Sequence, residues 1–164
     1  MLRLKTILHP TDFSAPSKQA FHLAWSLARD HEARLLVLHV AAPVMAYSEY
    51  GALTRSGPEL DQIRAELEHV RGPDRSVPIE HLLEEGDAAR HILQTAEEAS
   101  CDLIVMGTHG RTGLSRWLLG SVAEQVMRRA ICPVLTVKAQ QVRRSAVSEA
   151  AAARAASVPF GQLM

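Results

Sequence analysis

The sequence predicts an α/β doubly wound domain, with a five-stranded parallel sheet and helices on both faces. Over residues 1–138, five short apolar runs alternate with segments of helical periodicity. Such alternation implies a parallel sheet with right-handed crossovers. The run RLLVLHV at 34–40 is apolar almost throughout, as is typical of a strand buried on both faces. Ligands of such sheets bind at the carboxyl ends of the strands, near the point where the strand order reverses.

The composition is that of one soluble globular domain. The 164 residues are 47% hydrophobic and 22% charged. A formal net charge of zero gives no electrostatic reason to expect nucleic acid or an anionic membrane as a partner. The two cysteines, Cys101 and Cys132, are too few for a disulfide framework or a zinc site. No apolar run approaches the roughly 18 residues of a membrane span and the first residues do not resemble a secretion signal, so we expect a cytoplasmic protein.

The first strand is predicted in KTILHPTD and ends at Pro10. Ser14 is predicted to cap the following helix, with Pro16 in its first turn, and this helix ends near DHEA. The second strand is RLLVLHV. Two glycines and two prolines in AAPVMAYSEYGALTRSGPE, residues 41–59, then predict a long loop.

The second half repeats the alternation of helix and strand. A helix is predicted from Pro58 to Gly72, and a strand follows in SVPIEHLLEEG, beginning near Val77. Asp87 is predicted to cap the next helix. The remaining elements are a strand in CDLIVMG, a helix in SVAEQVMRRAIC and a last strand in PVLTVK. Three histidines that fall on strands, His9, His39 and His81, are expected to be structural residues with satisfied hydrogen bonds.

Residues 139–164 form an alanine-rich tail outside the predicted domain, which spans residues 1–138. The segment SEAAAARAA has high helix propensity but shows no clear apolar stripe. Short isolated helices are marginal in water. A frayed helix and a disordered tail therefore both remain open.

The glycine-rich segment GTHGRTGLSRWLLGS, residues 107–121, joins a strand to the next helix. Glycine inside an element costs about 0.5–1 kcal/mol relative to alanine, so a compensating role is expected. At a strand–helix junction, free N–H groups and the helix dipole favour a phosphate, and glycine lets it approach the backbone. The patterns G-x-G-x-x-G and G-x-x-x-x-G-K-[ST] are absent, which argues against a classical dinucleotide fold and a P-loop NTPase.

Three motifs together resemble the universal stress protein family. They are PTDFS at 10–14, LHV at 38–40 and the segment 106–138, in which G-x2-G-x9-G-[ST] resembles the signature of the family's ATP-binding branch. The resemblance covers about residues 1–138. It implies a Rossmann-like fold of the adenine nucleotide alpha hydrolase type, with ATP as the ligand and Mg²⁺ or Mn²⁺ bridging its phosphates.

The resemblance also implies the roles of individual residues. Asp12 would contact the ribose hydroxyls, the backbone of Val40 would read the adenine edge, and Met106 and Gly107 would pack against base and ribose. The phosphate cradle would comprise Gly110, Gly120, Ser121 and Val122. The candidate set also includes Pro10 and Thr11 of PTDFS, and His109 and Arg111 of the glycine-rich segment. For His109 the alternative is a loop side chain with a local hydrogen bond, and for Arg111 it is a solvated charge. The alternative is a structural role without ligand binding, in which the glycines are turn residues and Asp12 is a helix-entry residue.

The sequence favours binding over catalysis. It contains no G-x-S-x-G elbow, and no residue is evidently placed to activate water against a phosphate. The leading hypothesis is an ATP-binding, nucleotide-responsive regulatory or stress module. Its alternatives are an ATP-independent dimeric scaffold and, further, a slow ATPase. The resemblance and the apolar last strand, residues 133–137, predict a homodimer paired along that strand, with higher oligomers open.

Overall fold

Seven strands and four helices occupy most of the chain that the computed structural model describes, residues 3–42, 46–48, 51–53, 57–108 and 120–138. The strands are β1 (Thr6–Pro10), β2 (Arg34–Ala41), β3 (Ala46–Ser48), β4 (Gly51–Leu53), β5 (Ile79–Glu85), β6 (Leu103–Gly107) and β7 (Val134–Val137). The helices are α1 (Ala15–His31), α2 (Gly57–Glu68), α3 (Ala88–Glu98) and α4 (Ser121–Arg129). The predicted tail, residues 139–164, lies outside this part.

Five strands form one parallel sheet in the order β5-β2-β1-β6-β7. In β1, Leu8 pairs with Leu36 on one side and with Ile104 on the other. The chain builds outward from β1 to β2 and β5, then returns to the opposite side of β1 with β6 and β7. The reversal of strand order therefore falls between β1 and β6. The predicted five-stranded parallel sheet is confirmed.

Two apolar layers cover the two faces of the sheet. On one face, residues of α1 such as Phe21 and Trp25 pack with Leu67 of α2 against Ile7 and Val37. On the other face, residues of α3 and α4 pack against alternate residues of the same strands, among them Leu8, Ile92, Ile104 and Val126. The period of two in a strand sends neighbouring side chains to opposite layers. This is the doubly wound arrangement that the alternation predicts.

The capping predictions are confirmed for two helices. The Ser14 side chain accepts a hydrogen bond from the Ser17 amide at the start of α1, with proline in the first helical positions. The Asp87 side chain accepts from the Arg90 amide at the start of α3, at 2.8 Å. Each side chain satisfies an amide that has no acceptor inside its helix.

Several predicted boundaries are wrong. The loop predicted at 41–59 contains the antiparallel strands β3 and β4, which pair Tyr47 with Ala52. Helix α2 stops at Glu68, short of Gly72, and β5 starts at Ile79, although Val77 before it is buried. Gly72 is required for another reason, because a Cβ there would overlap the indole of Trp25. The β3–β4 pairing and the Gly72–Trp25 contact are features that local composition does not indicate.

The three strand histidines each contact a backbone carbonyl, but His9 is not fully satisfied. His9 Nδ1 lies 2.8 Å from the Val105 oxygen, whereas its buried Nε2 has no partner among the described residues. Burial is the main cause that lowers the pKa of His9 from 6.5 to about 4. The expectation that all three would be satisfied is therefore wrong for His9.

No described helix is long and apolar enough to cross a membrane.

The buried neutral His9 predicts acid-sensitive stability. Between pH 6.5 and about 4 the unfolded chain binds a proton that the native protein excludes. The contribution of His9 to the free energy of unfolding is therefore fully present above pH 6.5 and decreases on acidification. The slope from this group is up to about 1.4 kcal/mol per pH unit. Urea unfolding at several pH values should show a smaller slope for His9→Asn. The same substitution at exposed His22 is the control, and an unchanged slope in His9→Asn would contradict this assignment.

Candidate functional site

A cavity of about 200 Å³ opens at the carboxyl ends of the strands, beside the reversal between β1 and β6. The nine predicted site residues that the structure describes all line it: Pro10, Thr11, Asp12, Val40, Met106, Gly107, Gly120, Ser121 and Val122. The other three, His109, Gly110 and Arg111, lie outside the described residues. The structure thus brings together residues that are up to 112 positions apart in the chain (Pro10 to Val122).

The turn after β1 carries the one acidic side chain among the cavity's lining residues. Asp12 Oδ1 accepts from the Ser14 hydroxyl at 2.5 Å and from the Ser14 amide at 3.1 Å. No hydrogen bond of Oδ2 is found within the described part of the chain. Asp12 therefore offers a ligand an acceptor that is held in place from one side.

Thr11 anchors this turn to the rest of the sheet. Its amide donates to the Leu38 oxygen at 2.8 Å, which continues the β1–β2 ladder past Pro10. Its hydroxyl accepts from Ser17 at 2.9 Å and from the Phe13 amide at 3.2 Å. The side chain is 7% exposed, so these bonds are made in a largely dry environment. The backbone around Asp12 is consequently fixed before any ligand arrives.

The end of β6 meets the first turn of α1 at close range. A Cβ on Gly107 would lie 3.2 Å from Pro16 Cβ and 3.3 Å from the Ser17 amide nitrogen. Glycine at this position is explained by helix–strand packing as well as by its place in the cavity wall. Just beyond, the Gly120 amide donates to the Thr108 oxygen at 2.8 Å, so these two residues, which both line the cavity, are held together.

Helix α4 begins at the cavity without a side-chain cap. Gly120 is its N-cap residue and provides no side chain, and the first helical bond runs from the Glu124 amide to the Gly120 oxygen. The amides of residues 121–123 come before this first bond and therefore have no acceptor within the helix. Free amides and the helix dipole favour an anion here. Glu124 in the first turn opposes this, but it is paired with Arg128 at 3.1 Å.

Sequence reasoning missed five lining residues. Ala88 and Ile92 of α3 form an apolar wall, and the others are Ser17, Thr108 and Ala123. Asp87, recognised only as a cap, marks the start of α3 at the carboxyl end of β5, and that signal could have located Ala88. Ile92 follows one helical turn later on the same face. Ala88 and Ile92 make their part of the cavity lining apolar, whereas the part formed by Thr11 and Asp12 is polar.

The cysteines lie away from this cavity, next to the amino ends of β6 and β7. Burial raises the pKa of the Cys101 thiol to about 12 and also raises that of Cys132. Both thiols are therefore protonated at neutral pH and poor nucleophiles. Within the described residues, no group of three or more His, Cys, Asp or Glu side chains is arranged to hold a metal ion.

Comparison with known proteins identifies the fold's family. Residues 3–138 match the universal stress protein family. The chain belongs to this family. Among its relatives, Universal stress protein MJ0531 of Methanocaldococcus jannaschii is 38% identical over 139 residues, which cover 82% of each protein.

Solved universal stress proteins have the same architecture. UspA from Lactobacillus plantarum superposes with a TM-score of 0.67 at 24% identity, covering 84% of this chain and 99% of that one, and supports the fold alone. A universal stress protein solved in complex with cAMP superposes with a TM-score of 0.63 at 26% identity, covering 84% and 98%. This chain thus shares the α/β doubly wound fold with these solved universal stress proteins.

In this universal stress protein, the Ser14 side chain caps α1 and also donates a hydrogen bond to Asp12. We expect Ser14→Ala to lower the free energy of unfolding by about 1–2 kcal/mol, because the cap of α1 is lost together with the hydroxyl bond to Asp12. Ser14→Thr keeps the hydroxyl and should cost much less. Urea unfolding followed by circular dichroism measures both, and equal stability of Ser14→Ala and the wild type would contradict the dual role.

Proposed function

We propose that this universal stress protein binds ATP in the cavity and acts as a nucleotide-responsive regulatory or stress module. The observation that carries the proposal is that two unlike groups line one cavity: the Asp12 carboxylate and the uncapped start of α4 at Gly120. A carboxylate accepts hydrogen bonds from sugar hydroxyls, and a free helix N-terminus binds phosphate. The family relative in complex with cAMP supports an adenine nucleotide as the ligand.

In the proposed complex, adenine lies near the Val40 backbone and against the apolar wall of Met106 and Ile92. The ribose lies at Asp12, and the phosphates contact the backbone at Gly120 and Ser121. His109, Gly110 and Arg111 complete the proposed phosphate end, and Pro10 and Thr11 the ribose end. Mg²⁺ or Mn²⁺ would be held mainly by the phosphates, since the described residues provide no carboxylate cluster for it. A cytoplasmic location remains part of this proposal.

Binding, rather than turnover, is proposed as the basis of function. Among the described lining residues the one acidic side chain is that of Asp12, which the proposed complex assigns to the sugar end. Asp12 is also engaged by Ser14 through Oδ1. ATP hydrolysis, if it occurs, is expected to be slow.

The proposal predicts that substitutions at the two ends of the site weaken nucleotide binding to different extents. Asp12→Ala should weaken binding of adenosine nucleotides about 10- to 100-fold, since it removes a charged acceptor. Gly120→Val should abolish ATP binding through steric contact alone, because Gly120 has φ −59° and ψ 144°, which other residues also adopt. Ser121→Ala should be milder, since the backbone amides remain. Isothermal titration measures all three variants, with circular dichroism as the control for folding.

The unmutated protein provides the complementary measurement. Denaturing the purified protein and analysing the supernatant should release adenine nucleotide, and divalent metal should strengthen binding of ATP more than of AMP. Wild-type affinity in Gly120→Val would show that the phosphate assignment is wrong. The glycines would then be turn residues, and the ATP-independent scaffold would become the better account.

We also propose that the protein is a homodimer paired along β7. This strand is at the edge of the sheet, and large apolar side chains beside it are exposed, with Ile131 at 71% and Leu135 at 38%. An apolar edge strand invites pairing, and a two-fold axis satisfies both copies at once. The opposite edge, β5, carries the charged residues Glu80, Glu84 and Glu85, which oppose such pairing.

Light scattering at micromolar concentration should give the mass of a dimer. Leu135→Glu should shift the equilibrium toward monomer, because it buries a charge in each copy of the interface. The charge change Glu80→Lys at the opposite edge is the matched control and should leave the dimer intact. A monomer mass for the wild-type protein, with and without ATP, would exclude this assembly.

A further inference from the structure

The backbone next to Asp12 adopts a conformation that an aromatic residue rarely takes. Phe13 has a φ of 63°, in the left-handed region. Bulky residues are outliers there, and they persist only where surrounding contacts fix them. The contacts that impose this conformation therefore also fix the direction of the preceding carboxylate.

His39 contacts both neighbours of Asp12. Its ring lies on the ring of Phe13, with centroids 4.4 Å apart and planes inclined by 30°. Its Nδ1 is 2.7 Å from the Thr11 backbone oxygen. A carbonyl oxygen only accepts, so Nδ1 is the donor in this bond. The histidine is 8% exposed, and a single rigid ring thus fixes the turn on both sides of the carboxylate.

We propose that His39 is a positioning residue that orients the Asp12 carboxylate through Thr11 and Phe13, and so sets the preference for a ligand with intact ribose hydroxyls. The part that concerns the ligand rests on the proposed function. His39 immediately precedes Val40 on β2, so adjacent residues of one strand serve the two ends of the nucleoside. The backbone of Val40 is at the base end, and the side chain of His39 acts on the sugar end.

His81 provides a matched comparison for this role. It is also on a strand, and its Nε2 lies 2.9 Å from the Val70 backbone oxygen. It does not line the cavity. A histidine that only stabilises the fold should behave like His81 when it is substituted.

The first test uses the ligand-free protein. Hydrogen exchange followed by NMR should show faster exchange of the Phe13 and Ser14 amides in His39→Leu, by about 3- to 10-fold. These amides donate to Thr11 Oγ1 and Asp12 Oδ1. His39→Asn keeps a donor near the position of Nδ1 and should restore part of the protection, whereas His81→Leu should leave both amides unchanged. If His39→Leu does not fold, Phe13→Leu removes the ring contact with His39 while keeping an apolar side chain against the core, and it should accelerate exchange of Ser14.

The second test compares ATP with 2′,3′-dideoxy-ATP by isothermal titration. His39→Leu should weaken ATP binding about 3- to 10-fold and leave the affinity for the dideoxy nucleotide unchanged, since only ATP uses Asp12 through its hydroxyls. Equal losses for both nucleotides, or unchanged exchange at Phe13 and Ser14, would overturn the positioning role. If the wild-type protein binds neither nucleotide, the proposed function is wrong, and the exchange measurement alone then decides whether His39 fixes the turn.

Discussion

Burial of β1 in the middle of the sheet is the constraint on which the rest of the structure depends. All five of its residues are buried, and it pairs with β2 on one side and β6 on the other. Neighbouring strands and helices therefore occupy both edges and both faces of β1. The chain leaves the carboxyl end of β1 beside the point where the strand order reverses. The turn that follows Pro10 therefore lies at the cleft that a doubly wound sheet forms there.

The amino and carboxyl ends of the sheet differ in how backbone amides are hydrogen-bonded. At the amino end, Asp102 Oδ2 accepts from the amides of Lys5 at 2.7 Å and Thr6 at 2.9 Å, and these bonds hold the pKa of the carboxyl below its ordinary value. Arg34 donates to Thr6 Oγ1 at 3.0 Å in the same region. Side chains thus close backbone groups at this end. At the carboxyl end, Ser14 and Asp87 cap α1 and α3, whereas α4 begins without a capping side chain and leaves its first amides available to a ligand.

Rigidity around the cavity is concentrated in the Thr11–Ser17 region. Side-chain hydroxyls, an unusual backbone angle at Phe13 and the start of α1 are linked there by short-range bonds. The described cavity-lining residues from α3, Ala88 and Ile92, are apolar. A site with one fixed polar side and one apolar side suits an amphipathic ligand, because the polar groups orient it while the apolar wall contributes most of the buried area.

The sequence alone determined the fold class, the succession of the five sheet strands along the chain and the caps Ser14 and Asp87, because periodicity and capping chemistry are local; the order of the strands within the sheet came from the structure. It also indicated nine residues that the folded chain brings to one cavity. Only the tertiary structure decided that β3 pairs with β4, that Gly72 is required by the Trp25 indole, and that His9 is left with an unpartnered nitrogen. The same holds for Ile92 at the cavity and for the contact of His39 with Phe13. Apart from the local β3–β4 hairpin, these features depend on contacts between residues distant in the chain, and their free energies depend on packing that no local pattern records.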